Sequence, residues 1–227
     1  MVYAAIDWLG FAVCHQLPER SLSYGSRVLA ICARDTGIYL GLLIGVLVLI
    51  LLNRRREYSF PPWYVFVYGL FGLGLMALDG FSSYGGFRTT TNDIRLITGL
   101  LAGSAIALVV VPLFNYQAWK NGVNERTVKG PRELLIYAAT TIAVFLFLQY
   151  RPGWLYWPMF VLTGAAVIFA FVYVNMILVM LVPWWAQKAE QLRALAVPIL
   201  IGAILGYIEL AASYWMHAYL LSKITGG

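Results

Sequence analysis

Two short polar segments near the start of the chain carry residue types that could do chemistry. They read CHQLPERS at residues 14–21 and CARDTG at residues 32–37, and they hold both cysteines of the protein. Thiolate, imidazole and carboxylate groups are the usual protein ligands of zinc and similar ions, and paired thiols also form disulfides. We therefore expect a site for a divalent metal such as zinc at these segments. Its candidate ligands are Cys14, His15, Cys32 and Asp35.

The spacing of these residues leaves three interpretations of the cysteines open. Cys32 and Asp35 are three residues apart, so a helical turn places them on one side, where Cys14 or His15 would complete a metal shell. An oxidising compartment would instead favour a disulfide between Cys14 and Cys32. The thiols could also remain unbridged in a structural role. The metal interpretation is favoured, because His15 and Asp35 would be superfluous to a disulfide.

The composition is that of an integral membrane protein. Hydrophobic residues make up 61% of the chain and charged residues 11%, far from the balance of a soluble domain. Six apolar blocks are long enough to cross a hydrocarbon core about 30 Å thick as helices. They lie at about residues 36–52, 62–78, 94–116, 133–150, 158–182 and 194–221. The predicted fold is an all-α, polytopic membrane helix bundle. We expect one domain over residues 1–227, with residues 1–13 as a short interfacial or re-entrant helix.

The positions of Lys and Arg predict the orientation of the chain. Short cytoplasmic loops carry an excess of positive charge. Nine basic residues follow the first, third and fifth spans, against seven on the other side. We therefore expect a cell-membrane protein with those loops in the cytoplasm and with both termini and both motifs outside. The net charge of +6 is explained by anionic lipid headgroups, so the expected partners are membrane lipids and not nucleic acid.

The predicted topology brings separated polar residues to the motif side. Asp79 ends the second predicted span, Asn92 and Arg95 open the third, and His217 lies near the end of the sixth. A carboxylate at a helix C-terminus opposes the helix dipole, so we expect Asp79 to pair with Arg34 or Arg95. Arg34, Arg95 and Asn92 are candidate binding residues for an anionic substrate group. Asp79 is the candidate catalytic base or orienting group.

Two further patterns concern the spans themselves. Glu209, Ser213 and His217 are spaced by four and share one helix face, which we expect to point inward. A carboxylate in a span is costly, so we expect Glu209 either to be neutral or to face a partner in the bundle. The pattern TGxxxG opens the first and third spans, at residues 36–41 and 98–103. Small residues at this spacing let helices pack closely. Such packing would bring Arg34 and Arg95 near each other.

Several of these residues also have a purely structural interpretation. Asp35, and either Asn92 or Asp93, could simply cap the helices that they begin. His217 could be an interfacial side chain without a ligand. Asn175, in the fifth span, is expected to make a hydrogen bond to another helix.

At the same segments the chain resembles an uncharacterised prokaryotic membrane family of the DUF2085 type. The family pattern Cys-His-Gln-x-Pro-x-Arg-Ser is similar to residues 14–21, and Cys-Ala-Arg-Cys-Thr-Gly-Ile-Tyr-x-Gly is similar to residues 32–41. Its later Asp-Gly and Asn-x-x-Arg-x-x-Thr-Gly segments resemble residues 79–80 and 92–99. Where many members have a second cysteine, this chain has Asp35, which weakens a thiolate-rich metal site and leaves a mixed one open. The resemblance implies a membrane fold and supplies no reaction.

Two classes of function follow as hypotheses. The leading one is a metal-dependent site at the extracytoplasmic interface that acts on a lipid or a lipid-linked headgroup. The alternative is a small transporter or an accessory subunit of a larger membrane complex, with protein subunits as partners and the cysteines as a disulfide or structural site. Glu209 and His217 favour this alternative, because ionisable residues in spans often mark ion pathways. No phosphate-binding glycine loop, HExxH helix or dinucleotide fingerprint supports nucleotide-driven or zincin-type chemistry.

Overall fold

The computed structural model describes residues 2–52 and 54–224. Six helices in this part of the chain are long and apolar enough to cross a membrane. The helices are α1 (Val2–Val13), α2 (Ala33–Leu51), α3 (Trp63–Tyr84), α4 (Asn92–Ala118), α5 (Pro131–Gln149), α6 (Tyr156–Met180) and α7 (Ala196–Ile224). The predicted all-α, multi-pass membrane bundle is confirmed, since α2 to α7 correspond to the six predicted spans.

Two short β-structures lie at opposite ends of the bundle. An antiparallel hairpin of β1 (Ser21–Tyr24) and β2 (Arg27–Cys32) leads into α2. At the other end of α2, about 28 Å away at 1.5 Å per residue, β3 (Glu57–Ser59) pairs in parallel with β4 (Val123–Arg126). We call the end that holds residues 14–37, 79–95 and 217 the motif end, and the end that holds residues 54–62 and 119–130 the distal end.

Helices α2 and α4 run in the same direction and pack with their backbones in contact. A Cβ atom on Gly99 would lie 2.2 Å from the carbonyl oxygen of Arg34, and one on Gly103 would lie 2.0 Å from that of Ile38. A Cβ atom on either glycine of the TGxxxG segment in α2 would likewise lie 2.5 Å from a carbonyl oxygen of α4. The predicted packing of these two spans is confirmed, and it requires glycine at these positions.

Helix α3 is longer than its apolar block. The prediction ends this span just before Asp79, whereas the helix continues to Tyr84. The placement of Asp79 at a helix C-terminus is therefore wrong. The span accommodates the charge of Asp79 because Arg34 and Arg88 both pair with its carboxylate. These ion pairs offset the cost of a charge within a span.

Helix α1 is an apolar helix of 12 residues, shorter than any span, and it packs on α6 and α7 near the motif end. The ring of Trp8 stacks on Tyr207 and Tyr214, with centroids 6.0 and 5.5 Å apart. Ile6 fills the space above Gly164, where a Cβ atom would come within 2.9 Å of it. This is the short N-terminal segment that the sequence predicts.

The polar residues predicted to share one face of α7 each bond a neighbouring helix. The last carbonyl groups of α1 have no partner within their own helix, and two residues of α7 supply donors to them. The bonds are Ser213 Oγ to the Ala12 carbonyl (2.5 Å), His217 Nδ1 to the Phe11 carbonyl (2.8 Å) and Asn175 Nδ2 to Glu209 Oε2 (2.9 Å). The interhelical bond predicted for Asn175 is confirmed. Glu209 is exposed at the surface of α7, and its carboxylate faces Asn175 of α6, which is the partner in the bundle that the sequence predicts.

Candidate functional site

The end of α1 places Cys14 against the hairpin. The Cys14 N–H bonds the Gly10 carbonyl at 2.8 Å and closes the last turn. Gln16 then takes a left-handed conformation, with φ 51°, which turns the chain away from the helix axis. Its side-chain amide donates to the Asp7 carbonyl at 2.9 Å and holds this turn. Gly10 lies directly on β2, where a Cβ atom would come within 2.5 Å of the Ala30 carbonyl oxygen.

The end of β2 and the first turn of α2 supply the other two candidate ligands. Cys32 is the last residue of β2, with an extended backbone, and Asp35 lies in the first turn of α2. A carboxylate is favoured there by the helix dipole. The thiol of Cys32 donates to Asp35 Oδ2 at 3.0 Å. Cys32 and Asp35, which are three residues apart in the sequence, are therefore in direct contact in the structure.

The caps predicted for α2 and α4 are not the ones that the structure uses. Cys32 occupies the N-cap position of α2 and makes no side-chain capping bond. Thr91 caps α4, with its hydroxyl accepting a backbone N–H three residues on, as threonine does well. The capping interpretations of Asp35, Asn92 and Asp93 are therefore wrong.

Cys14, Cys32 and Asp35 form what we call the thiol–carboxylate cluster. One ligand atom from each lies within 4.8 Å of the other two, and neither cysteine is in a disulfide. Ligand atoms around one tetrahedral zinc stand roughly 3.5 to 4 Å apart, given metal–ligand bonds of about 2.0 to 2.3 Å. Cys32 Sγ and Asp35 Oδ2 are already 3.0 Å apart, so closing the wider separations by about 1 Å would bring the three into range of one ion. Two thiolates and one carboxylate would leave a fourth position open.

The two thiols share a hydrogen-bond network that moves their pKa values in opposite directions. The interaction with the Cys32 side chain lowers the pKa of Cys14, although burial acts against this. The pKa of Cys32 is raised by its interaction with the Cys14 side chain, by burial and by the charge of Asp35. Cys14 is therefore the first of the two thiols to ionise.

His15 lies at the rim of the cluster and not within it. It is exposed and lines the same cavity as the cluster, which has a volume of about 190 Å³. Its ring centroid is 4.9 Å from that of His217. Among the described residues, the ligand atoms that lie within 4.8 Å of one another are those of Cys14, Cys32 and Asp35, and His15 contributes none. His217 is held by its bond to α1 and adds no ligand to the group.

Asp79 is a buried anchor for arginine side chains. It is 1% exposed and pairs with Arg34, while Arg88 Nη2 and Thr90 Oγ1 each donate to its other oxygen at 2.6 Å. The predicted ion pair with Arg34 is confirmed, and Arg95 is not a partner. A carboxylate that accepts from three donors holds those side chains in place, which favours an orienting role for Asp79 over that of a base.

Asn92 ties the first motif to α4. Its Nδ2 donates to the carbonyls of Glu19 and Ser21 at 3.1 and 3.0 Å, and its Oδ1 accepts from Arg95 Nη1 at 2.8 Å. Asn92 therefore fixes the CHQLPERS segment on the start of α4 and orients Arg95. The two bonds from Asn92 to the first motif were not evident from the sequence, because the two segments are about 70 residues apart.

A second cavity, of about 540 Å³, opens beside that of the cluster, and Arg20 lines both. Arg88 and Arg95 are the other two cations in its wall, whereas Arg34 lines the cluster cavity instead. Helices α2 and α4 thus pack as predicted, but Arg34 and Arg95 line different cavities. Arg20 and Arg88 were not among the predicted site residues. The signal for Arg20 was its place within the first motif.

Comparisons with known proteins concern the same half of the chain. The family described as "Predicted membrane protein (DUF2085)" matches residues 14–109, which include the cluster and both cavities' arginines. An uncharacterised protein of Methanocaldococcus jannaschii is 33% identical over 109 residues, covering 48% of this chain and 67% of that protein. An uncharacterised protein of Methanothermobacter thermautotrophicus is 34% identical over 100 residues, covering 43% of this chain and 83% of that protein. No solved structure is significantly similar. With such identity over at least two thirds of both relatives, the chain belongs to the DUF2085 family of predicted membrane proteins.

Proposed function

We propose that the thiol–carboxylate cluster binds a divalent metal such as zinc and that the site acts on a lipid or a lipid-linked headgroup. The observation that carries the proposal is the convergence of three ligand atoms within 4.8 Å from α1, β2 and α2. The bond between Cys32 and Asp35 favours a metal over a disulfide, since a disulfide has no use for a carboxylate.

The surroundings of the cluster suit an anionic substrate. A zinc ion with three protein ligands keeps a position for water and lowers the pKa of that water toward neutrality. Arg34 lies in the cavity wall and is held by Asp79. Its buried Nε–H has no acceptor among the residues that the structure describes. Arg34 and Arg95 would each hold an anionic group near the cluster, and Asp79 and Asn92 would keep them in position.

The proposal places the motif end outside the cytoplasm. Three consecutive arginines, Arg54 to Arg56, follow α2 at the distal end, and the loop at residues 120–132 is also basic. Positive loops of this length favour the cytoplasm. The cluster then opens toward the outer leaflet of the cell membrane, at the depth of its headgroups, with both termini on that side.

A second candidate function is that of an accessory subunit in a larger membrane complex. Glu209 is an exposed carboxylate in the span α7, and its one hydrogen bond among the described residues comes from Asn175. A carboxylate in a span costs about 2.5–3.5 kcal/mol on insertion scales. A partner helix with a donor at this depth would offset that cost.

Metal analysis of the purified protein tests the leading proposal. We expect about one zinc per chain in the wild type after equilibration and dialysis, and loss of it in Cys32→Ser and in Asp35→Ala. Asp93→Ala is the matched control, because Asp93 is an exposed acid in the first turn of α4. Full retention of zinc in both cluster variants would refute the metal site.

Two further measurements separate the alternatives. Thiols that react only after a chelator is added support the metal site, whereas thiols that react only after a reductant is added establish a disulfide. Purification in mild detergent tests the subunit role. A partner protein that copurifies in fixed stoichiometry with the wild type and is lost with Glu209→Leu would favour it.

A further inference from the structure

We propose that the protein binds a lipid with an anionic phosphate headgroup, with the phosphate between Arg20, Arg88 and Arg95 and a hydrocarbon chain in a groove along α3. The inference rests on the proposed function, because it names the substrate class of that site. It is carried by three adjoining cavities at the motif end and by the charge that they hold.

The phosphate would lie in the cavity of about 540 Å³. Its walls carry the three guanidinium groups together with the hydroxyl of Thr89, and Glu19 is the acid among them. Arginine binds phosphate through two parallel hydrogen bonds, and hydroxyl groups add further donors. Basic pockets between spans bind the phosphate headgroups of lipids in other membrane proteins, on the cytoplasmic or matrix side, and the same chemistry applies at the motif end.

The surrounding charges are not balanced within the protein. Asp79 is shared between Arg34 and Arg88, Glu19 lines the phosphate cavity, and Asp35 lines the cluster cavity beside Arg34. Four arginines, with Arg20 and Arg95, therefore face three acids among the described residues. One positive charge remains for a ligand. A phosphate monoester, which carries at least one negative charge at neutral pH, has the sign that this excess requires.

The hydrocarbon chain would lie in an apolar groove of about 590 Å³ that begins at Arg34 and Tyr84. Its walls include Phe81 and Phe87, which are 79% and 87% exposed and are suited to contact with hydrocarbon. Gly80 forms part of the groove, and a Cβ atom there would meet nothing within 4 Å. The groove therefore has room for an alkyl chain beside α3.

Tyr84 and Arg20 join the three cavities. The guanidinium carbon of Arg20 lies 5.3 Å from the centroid of the Tyr84 ring, and that of Arg34 lies 5.7 Å from it. Tyr84 lines both the cluster cavity and the groove, and Arg20 lines both the cluster cavity and the phosphate cavity. One amphiphile would thus span the groove and the arginines while passing the cluster. Free phosphate would use the arginines alone.

The headgroup is tested by native mass spectrometry of the full chain in detergent. The probes are dioleoyl phosphatidic acid, dioleoylglycerol, which lacks the phosphate, and inorganic phosphate, which lacks the chain. We expect Arg20→Gln and Arg95→Gln each to weaken phosphatidic acid binding about tenfold, the effect of one lost charge-assisted hydrogen bond. Arg132→Gln, which removes an exposed arginine from the first turn of α5, should leave it unchanged. Equal binding of dioleoylglycerol, or an equal loss with Arg132→Gln, overturns the assignment.

The chain is tested by filling the groove. Gly80→Leu adds a side chain in the groove, and Gly74→Leu adds the same side chain in equally open space on α3 outside it. We expect Gly80→Leu to weaken phosphatidic acid binding about tenfold, as when two methylene groups lose their contacts. Gly74→Leu should have no effect. Equal affinities of the two variants, or inorganic phosphate binding as tightly as phosphatidic acid, overturns the lipid assignment.

Failure of the lipid assignment can be told apart from failure of the metal site, because phosphatidic acid binding and zinc uptake are measured separately. Phosphatidic acid binding by a wild type that takes up no zinc supports this inference and refutes the metal site. Zinc uptake by a wild type that binds no phosphatidic acid refutes this inference and leaves the metal site standing. The Cys32→Ser variant is expected to lose zinc and to keep its affinity for phosphatidic acid, because the phosphate cavity does not include Cys32.

Discussion

Replacement of Gly103 by alanine is expected to destabilise the protein by about 1–2 kcal/mol. The new Cβ atom would lie 2.0 Å from the Ile38 carbonyl oxygen and 2.8 Å from the Leu42 nitrogen. An ordinary contact begins near 3.4 Å, so the backbones of α2 and α4 must move apart by about 1.4 Å there. Because the overlap is with backbone atoms, the cost lies in the upper part of the overpacking range, at about 2–3 kcal/mol, and the higher helix propensity of alanine returns about 1 kcal/mol.

Gly74→Ala is the matched control for this prediction. Gly74 lies in the neighbouring helix α3, and a Cβ atom there would meet nothing within 4 Å. Only the propensity term remains, so this variant should be stabilised by about 0.5–1 kcal/mol. Thermal unfolding in dodecyl maltoside, followed by circular dichroism, compares the two. Equal shifts of the midpoint in both variants would refute the claim that the α2–α4 contact requires glycine.

Two other substitutions test the buried polar groups. Asp79→Asn is expected to cost about 3 kcal/mol in free energy of unfolding, because it leaves Arg34 without its buried charged partner. Asp93→Asn, which removes the exposed partner of Arg151, should cost at most about 1 kcal/mol. Equal midpoints of the two variants in a denaturant titration would contradict this difference. Tyr24→Phe is expected to be neutral or to stabilise by up to about 1 kcal/mol, because the Tyr24 hydroxyl is buried without a partner; a lowered melting temperature would show that the hydroxyl is satisfied in solution.

The long elements of this fold were predictable from the sequence, whereas the short ones were not. Hydropathy averaged over about 20 residues locates a span, and TGxxxG at residues 36–41 and 98–103 indicated which two spans pack closely. The hairpin of β1 and β2 has strands of four and six residues, too few for a period-two pattern to stand out. The extension of α3 past Asp79 was missed because the prediction ended that span at its first charge.

The candidate site was predictable where its contacts are local. Cys32 and Asp35 are three residues apart, at the N-cap position and in the first turn of α2, and side chains at these two positions lie close together. The approach of Cys14 depends on Gly10 lying against β2, which no spacing reveals. Arg34 and Arg95 were expected near each other because their helices pack. Their side chains nevertheless line different cavities, since the direction of a side chain around its helix axis is not fixed by the contact between the helices.

The geometry of the site depends on backbone packing as much as on the side chains that form it. The first turn of α2 does three things at once: the Arg34 carbonyl contacts Gly99, the Arg34 side chain pairs with Asp79, and Asp35 contacts Cys32. A shift of α2 along or around its axis would therefore change the helix contact, the ion pair and the cluster together. A ligand held on a rigid helix, as Asp35 is on α2, stays close to a productive arrangement. The proposed metal site therefore predicts that a larger residue at Gly99 weakens metal binding without touching any ligand.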